Sequence, residues 1–189
     1  TENQLVYCPQ DMVLGLGCAR GCSVDEVMDL VMSGLSAANI NAATISCAVS
    51  VDLKADEPAM HAVAAMLGVP FRVFDTATLA AETSRLVNPS DVVFAEIGAH
   101  GVCEAASLAA AGPAGKLVIE KRKSANATMA LAQMHAPGDS GLPGRKPGRV
   151  MLIGIGPGQA AWRTPEASRL IQSADELVGY ALYIDILGA

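Results

Sequence analysis

The sequence predicts an α/β fold with a mostly parallel sheet, and three observations carry that prediction. Short apolar runs ending in glycine or turn residues alternate with segments whose apolar positions recur at helical spacing. The residues are 51% hydrophobic but only 4% aromatic, so the core must be built from Ala, Val, Leu, Ile and Met. After a stretch rich in proline and glycine, the strand-then-helix pattern starts a second time.

The first element is DMVLGLG (11–17), an apolar strand ending in glycines, followed by the loop CARGC. Ser23 with Glu26 forms a capping box, and Val24, Val27, Met28, Val31 and Leu35 fall at helical spacing, so a helix starts there. ATISCAVS (43–50) reads as a second buried strand. Pro58 suits the first turn of a helix, which runs through AMHAVAAMLG (59–68) and closes at Gly68. PFRVF (70–74) is a short third strand. Asp75 or Thr76 caps a helix through about Leu86. NPSDVVFAEIG (88–98) reads as a short helix capped by Ser90, and VCEAASLAAAG (102–112) as a helix stopped by Gly112. KLVIEK (116–121) is a strand. NATMALA (126–132) stays open on pattern: Ala and Met favour helix, its place after a short turn favours a strand paired with KLVIEK.

HAPGDSGLPGRKPG (135–148) has almost nothing apolar and is predicted to be a flexible linker. Residues 1–134 and 149–189 are then separate domains. In the second, a strand is expected over 149–155, and a helix over 164 to about 173 with Thr164 as cap and Pro165 at its first position. A further strand and helix should follow in 174–187.

The formal net charge of −6 hides an asymmetry. Residues 1–115 hold thirteen acids against Arg20, Lys54, Arg72 and Arg85, and KLVIEKRK (116–123) then supplies four basic residues. A nucleic-acid footprint would be a broad basic stripe, and none is visible. No apolar run approaches the roughly 18 residues of a membrane span, and no signal-peptide pattern opens the chain. A cytoplasmic protein is the default expectation. Five cysteines make an odd count, which argues against a disulfide framework. Cys18 and Cys22 form a C-x3-C pair that nothing nearby completes, so no metal site is expected. His61, His100 and His135 are scattered.

Two stretches invite a ligand reading: VLGLGCARG (13–21) and LIGIGPG (152–158). Glycines allow a ligand or a neighbouring backbone close approach before a helix. Neither spacing is that of G-x-G-x-x-G, and neither has an acid in a clear ribose-binding place, so dinucleotide binding of the Rossmann type is a remote alternative. The plain alternative is a tight strand-to-helix turn without ligand. Arg20 is the first basic side chain of the chain and Lys54 the second, both on loops expected at the C-terminal edge of the strands. Ligands of open α/β sheets bind at that edge. Two scarce cations there point to recognition of an anion, with Gly15, Gly17 and Gly21 around them. Equally, Arg20 and Lys54 could pair with Asp52, Asp56 or Glu57 and only order the loops.

GLGCARG (15–21), VDLKADEP (51–58), GVCEAASLAAAG (101–112) and LVIEKRKSANATMALA (117–132) occur in an order and spacing that resembles the C-terminal domain of CbiG-type cobalamin-biosynthesis proteins and their stand-alone CobE-type homologues. The resemblance covers about residues 10–134. It implies an α/β domain acting in the corrin-ring stage of vitamin B12 synthesis, and it makes NATMALA a strand. RVMLIGIGPGQAAWRTPEASRLIQSADELVGYALYIDIL resembles the start of the tetrapyrrole methyltransferases, most closely the precorrin-3B C(17)-methyltransferases through GYALYIDIL (179–187). Those enzymes use S-adenosylmethionine. The resemblance places Gly154, Gly156, Pro157 and Gly158 beside the methyl donor and Tyr180 and Tyr183 toward the substrate. Gln159 stands where the familiar opening has an acid.

The resemblances imply a fusion protein whose first domain handles a precorrin, a macrocycle fringed with carboxylates. Arg20, Lys54, Lys121 and Lys123 are the cations on offer for that fringe. Residues 149–189 amount to the truncated first βα unit of a methyltransferase, expected to be inactive alone, with an apolar face through which copies could form a homo-oligomer. For the first domain two activities are open. One is a binding module that holds an anionic precorrin and needs no cofactor. The other is a CbiG-type hydrolase that opens a ring lactone on a cobalt-precorrin, for which Asp52, Glu57 or Glu104 would be the water-activating base. Glu104 has a competing structural reading as an acid in the first turn of a helix.

Overall fold

The computed structural model describes residues 8–135, 143–148, 150–156 and 160–187. The chain divides into two compact units, Thr1–Pro147 and Gly148–Ala189.

The first unit is built on five strands, β1 (Met12–Cys18), β2 (Ile45–Val51), β3 (Phe71–Phe74), β4 (Lys116–Lys123) and β5 (Ala127–Gln133). Their order across the sheet is β3-β2-β1-β5-β4. The β1–β2 and β2–β3 ladders are parallel. The β1–β5 and β4–β5 ladders are antiparallel. The sheet is therefore mixed, parallel at the β3 end only. The reason is the connection: three residues, Ser124 to Asn126, can turn a hairpin but cannot make the crossover a parallel pair needs. β5 is NATMALA, whose sequence pattern was compatible with helix. Ala127 and Met129 to Ala132 are buried, so burial on both sides of a central strand outweighs helix propensity.

Helices cover both faces. α1 (Val24–Ala37) starts at Ser23, whose hydroxyl accepts from the Glu26 amide at 3.1 Å. α2 (Pro58–Met66) starts at its proline. Their apolar sides close over Leu14, Leu16, Ile45, Met129 and Leu131. On the opposite face α3 (Thr76–Ala81) and α5 (Cys103–Ala111) cover Val13, Cys47, Val49 and Val51 through Leu79, Ala105, Ala106 and Ala110. Asp75 caps α3 by accepting from the Thr78 amide at 2.8 Å. The helix stops earlier than its pattern suggests and continues as a 3-10 turn, Thr83–Arg85. There Arg85 donates to the carbonyls of Gly112 at 3.1 Å and Gly115 at 2.6 Å, a tertiary demand that a regular helix would not meet. The short α4 (Asp91–Ile97) is capped by Ser90 and ends at Gly98, whose φ of 75° is left-handed.

The predicted linker is not uniform. Arg145 exchanges both backbone hydrogen bonds with Val73, each 2.8 Å, forming an antiparallel bridge on the open edge of β3. Its proline and glycine content hid this, because a single bridge needs no apolar pattern.

In the second unit, α6 (Pro165–Gln172) follows Thr164, which accepts from the Ala167 amide at 3.2 Å, and α7 (Ala181–Leu187) closes the described chain. The strands expected over 149–155 and after 174 are not formed among the described residues. Residues 150–155 are irregular, with Val150 91% and Leu152 98% exposed. A strand needs a ladder partner for its N–H and C=O groups, and here none of the described residues supplies one.

Candidate functional site

Because β1, β2 and β3 are parallel, Cys18, Val51 and Phe74 end at one edge of the sheet. β5 begins at that same edge, since Ala127 faces Cys18. The loops after these strands, and the 124–126 turn, converge there. This is the edge at which ligands of open α/β sheets are bound.

The centre of the cluster is the 3-10 turn Asp52–Lys54 with its continuation to Glu57. Arg20 reaches it from the β1 loop, donating to the Leu53 carbonyl at 2.7 Å and to the Asp56 carboxylate at 2.5 Å. Glu57 is 1% exposed. It accepts from the Gly21 amide at 3.1 Å and lies 3.7 Å from the Arg20 guanidinium. The hydrogen bond from Arg20 holds the Asp56 carboxyl below the usual carboxylate range. Asp52 is engaged by Arg145 at 3.0 Å. So Arg20, Gly21, Lys54, Asp52 and Glu57, separate in sequence, share one place. In this state Arg20 holds internal acids. Lys54 has no carboxylate within ion-pair distance among the described residues.

Other expected site residues lie elsewhere or have another job. Gly15 and Gly17 are within β1 and buried. A Cβ on Gly15 would stand 1.9 Å from the Cys103 carbonyl oxygen, and one on Gly17 2.7 Å from Thr128 Oγ1. Glycine is needed at position 15 so that α5 can lie against the strand, and at position 17 it leaves room for the Thr128 side chain of β5; neither cradles a ligand, and the dinucleotide reading loses its first loop. Glu104 is 1% exposed and fully occupied. It accepts from the amides of Val87 and Asn88, both 3.0 Å, from Asn88 Nδ2 at 2.9 Å and from the Lys121 amide at 2.8 Å. Burial pushes its pKa up, but these donors outweigh it and the net shift is downward. Such a carboxylate ties α5 to the 87–88 loop and to β4, and has no lone pair to spare for activating water. The Lys121 amide serves that tie, and the residue lines a concavity of about 400 Å³ with Ala38, Val118 and Arg122. Lys123 faces Thr128 across the hairpin, two strand spacings, roughly 10 Å, from β1. A second concavity of about 330 Å³, lined by Asp11, Lys116, Gln133 and His135, lies at the opposite edge of the sheet.

Cys18 and Cys103 are poor nucleophiles. Burial, then the neighbouring Glu57 and Cys22, push Cys18 up to about 11. Burial alone dominates the rise of Cys103 to about 11. Both stay protonated near neutrality. Cys22 meets Glu26 at 3.7 Å, and no group of metal-binding side chains occurs among the described residues.

Sequence reasoning missed two parts of this edge. Glu26 was seen as a capping acid. It also accepts from Ser124 Oγ at 2.6 Å and from the Asn126 amide at 2.7 Å, which pins the hairpin turn to α1 and lowers the Glu26 pKa to about 2. Arg145 was hidden inside the linker, and nothing in its local sequence signals its contact with Asp52.

In the second unit, Pro157 and Gly158 lie outside the described residues. Gly154 and Gly156 are exposed, and Tyr180 and Tyr183 are exposed and touch edge to face at 6.0 Å. No strand is formed at the two glycines among the described residues, and a Cβ at Gly154 would meet nothing within 4 Å. Exposed in this way, Gly154 and Gly156 do not by themselves supply the enclosed site with polar groups that S-adenosylmethionine needs.

The family described as Cobalamin synthesis G C-terminus matches residues 12–132. Protein CobE of Sinorhizobium sp is 46% identical over 121 residues, 64% of this chain and 79% of that protein. A cobalt-precorrin-5A hydrolase of Priestia megaterium is 31% identical over 131 residues, 69% of this chain and 34% of the hydrolase. The chain thus spans about a third of that relative's length. The cobalamin biosynthesis protein CobIJ of Mycobacterium tuberculosis is 42% identical over 38 residues, 20% of this chain and 8% of CobIJ. Among solved structures, that of CobE, a protein from the cobalamin biosynthetic pathway, superposes with a TM-score of 0.61 at 34% identity, covering 65% of this chain and 89% of its own.

Proposed function

The chain belongs to the family of the cobalamin synthesis G C-terminus and is a cobalamin-biosynthesis protein, and from that premise we propose that its first unit binds an anionic precorrin intermediate at the C-terminal edge of β1, β2 and β3. The observation that carries the reading is the meeting of Arg20 and Lys54 on the turn 52–54, through the 2.7 Å bond from Arg20 to Leu53. Arg20 is over half exposed and so is Asp56. An ion pair this open to solvent is strongly screened and contributes little, so a ligand carboxylate can replace Asp56 on the guanidinium at small cost. Arginine offers the paired donors that suit a carboxylate. The test is titration of the purified chain with a carboxylated corrin, followed by absorbance. Saturable binding weakened by Arg20→Ala is expected, and unchanged affinity removes Arg20 from the site.

A second reading, lactone hydrolysis on a cobalt-precorrin, draws support from the similarity to the Priestia megaterium hydrolase and from Glu57, a buried carboxylate beside the same turn. Release of acetaldehyde on incubation with the cobalt-precorrin lactone would favour it; binding without release favours the module. The longer proposal, that residues 149–189 open a fused precorrin-3B C(17)-methyltransferase, is supported by GYALYIDIL and by the short CobIJ similarity. S-adenosylmethionine would belong to that enzyme as a whole.

A further inference from the structure

We propose that Pro143–Lys146 is a clasp that brings Arg145 to the candidate anion site as its third cation. The proposal deepens, and rests on, the reading that the turn 52–57 receives a carboxylated ligand. Arg145 lies beyond the family's matched residues 12–132, so the site would be completed from outside the domain that defines it.

Three observations converge on Arg145. Its main chain is anchored: N–H and C=O both bond to Val73 at 2.8 Å, on the open edge of β3. Gly144 makes the approach possible. Its φ of 76° is left-handed, and a Cβ there would meet the Phe74 ring at 3.0 Å. The side chain, by contrast, is 63% exposed and rests on acids alone, Asp52 at 3.0 Å and Asp75 at 3.9 Å. Asp75 already has a task as the cap of α3. A fixed backbone carrying a solvent-facing guanidinium is how a binding residue is positioned.

The arrangement repeats that of Arg20. Asp56 holds Arg20 and Asp52 holds Arg145, on either side of Lys54 in one turn. Each aspartate stands in for a ligand carboxylate. When a ligand with several carboxylates arrives, each guanidinium exchanges its internal partner, exposed Asp56 for Arg20 and half-buried Asp52 for Arg145, for a carboxylate of the one ligand. That ligand bridges the clasp to the Arg20 loop and so holds it against β3 more firmly. Binding and clasp docking are therefore coupled.

The experiment uses the full chain and cobyrinic acid, a corrin with free carboxylates, with its amidated counterpart as control. Arg145→Ala and Arg20→Ala should each weaken cobyrinic acid binding about tenfold and leave the amidated compound unaffected. Asp52→Asn should tighten binding, and the gain should shrink when Arg145→Ala is also present. In the unmodified chain, saturating ligand should slow hydrogen exchange of the Val73 amide, which donates to Arg145. If Arg20→Ala weakens binding while Arg145→Ala does not, or if Val73 exchange is unmoved at saturation, the clasp is overturned and the binding reading stands. If the unmodified chain does not bind at all, the binding reading falls, and the clasp with it.

Discussion

Residues 12–17 read MVLGLG and residues 151–156 read MLIGIG. The two stretches have the same pattern and different structures. The first is the central strand β1, paired with β2 on one side and β5 on the other, with Val13, Leu14 and Leu16 fully buried. The second is irregular, with Leu152 98% exposed. The contrast shows what an apolar run with glycines encodes. It encodes readiness to be buried between neighbours, and the strand exists only where those neighbours are present to complete its ladder.

The largest test of that contrast is Gly15→Val. The new side chain would collide with the Cys103 backbone, which cannot yield without moving α5. A loss of about 3 kcal/mol is expected in urea denaturation, and a variant within about 1 kcal/mol of the parent would refute the packing account. Glu104→Ala comes next. It leaves three amides and the Asn88 carboxamide without their acceptor, for an expected loss of about 2–3 kcal/mol. Should Glu104→Ala keep its stability and lose a hydrolytic activity, the catalytic role would be restored.

A pH measurement gives the third. The Glu26 pKa is lowered from an ordinary 4.5 to about 2, first by the hydrogen bond from Ser124 and then by Asn126. A carboxylate with a depressed native pKa stabilises the fold above its unfolded pKa, and that stability is lost as pH falls through the native value. The urea midpoint should therefore drop between pH 4.5 and about 2, and Glu26→Gln should flatten part of the drop. The smallest effect is expected at Gly154. A Cβ there meets nothing within 4 Å, so Gly154→Ala should change stability by less than about 0.5 kcal/mol. A loss like that of Gly15→Val would mean that the two stretches are packed alike after all.

Much of the fold was legible because its signals are local. Ser23, Asp75, Ser90 and Thr164 each bond an amide three residues on, and short-range geometry of this kind can be seen in a string of letters. Arg20 and Lys54 were likewise visible, as scarce cations after apolar runs. Their partners were not. Arg20 meets Asp56 across 36 residues, Arg145 meets Asp52 across 93, and Glu26 meets Asn126 across 100.

The sequence by itself therefore determined the helix starts, the alternation of strand and helix through the first 112 residues, the family and the loops where a ligand would be sought. Tertiary structure alone decided that β5 runs antiparallel to β1, that Gly15 admits a helix, that Glu104 is a tie, and that Arg145 joins the sheet edge. The physical reason is range. A cap is satisfied by the backbone beside it, whereas a strand's ladder, a buried carboxylate and an ion pair are satisfied only by groups that folding brings from elsewhere in the chain.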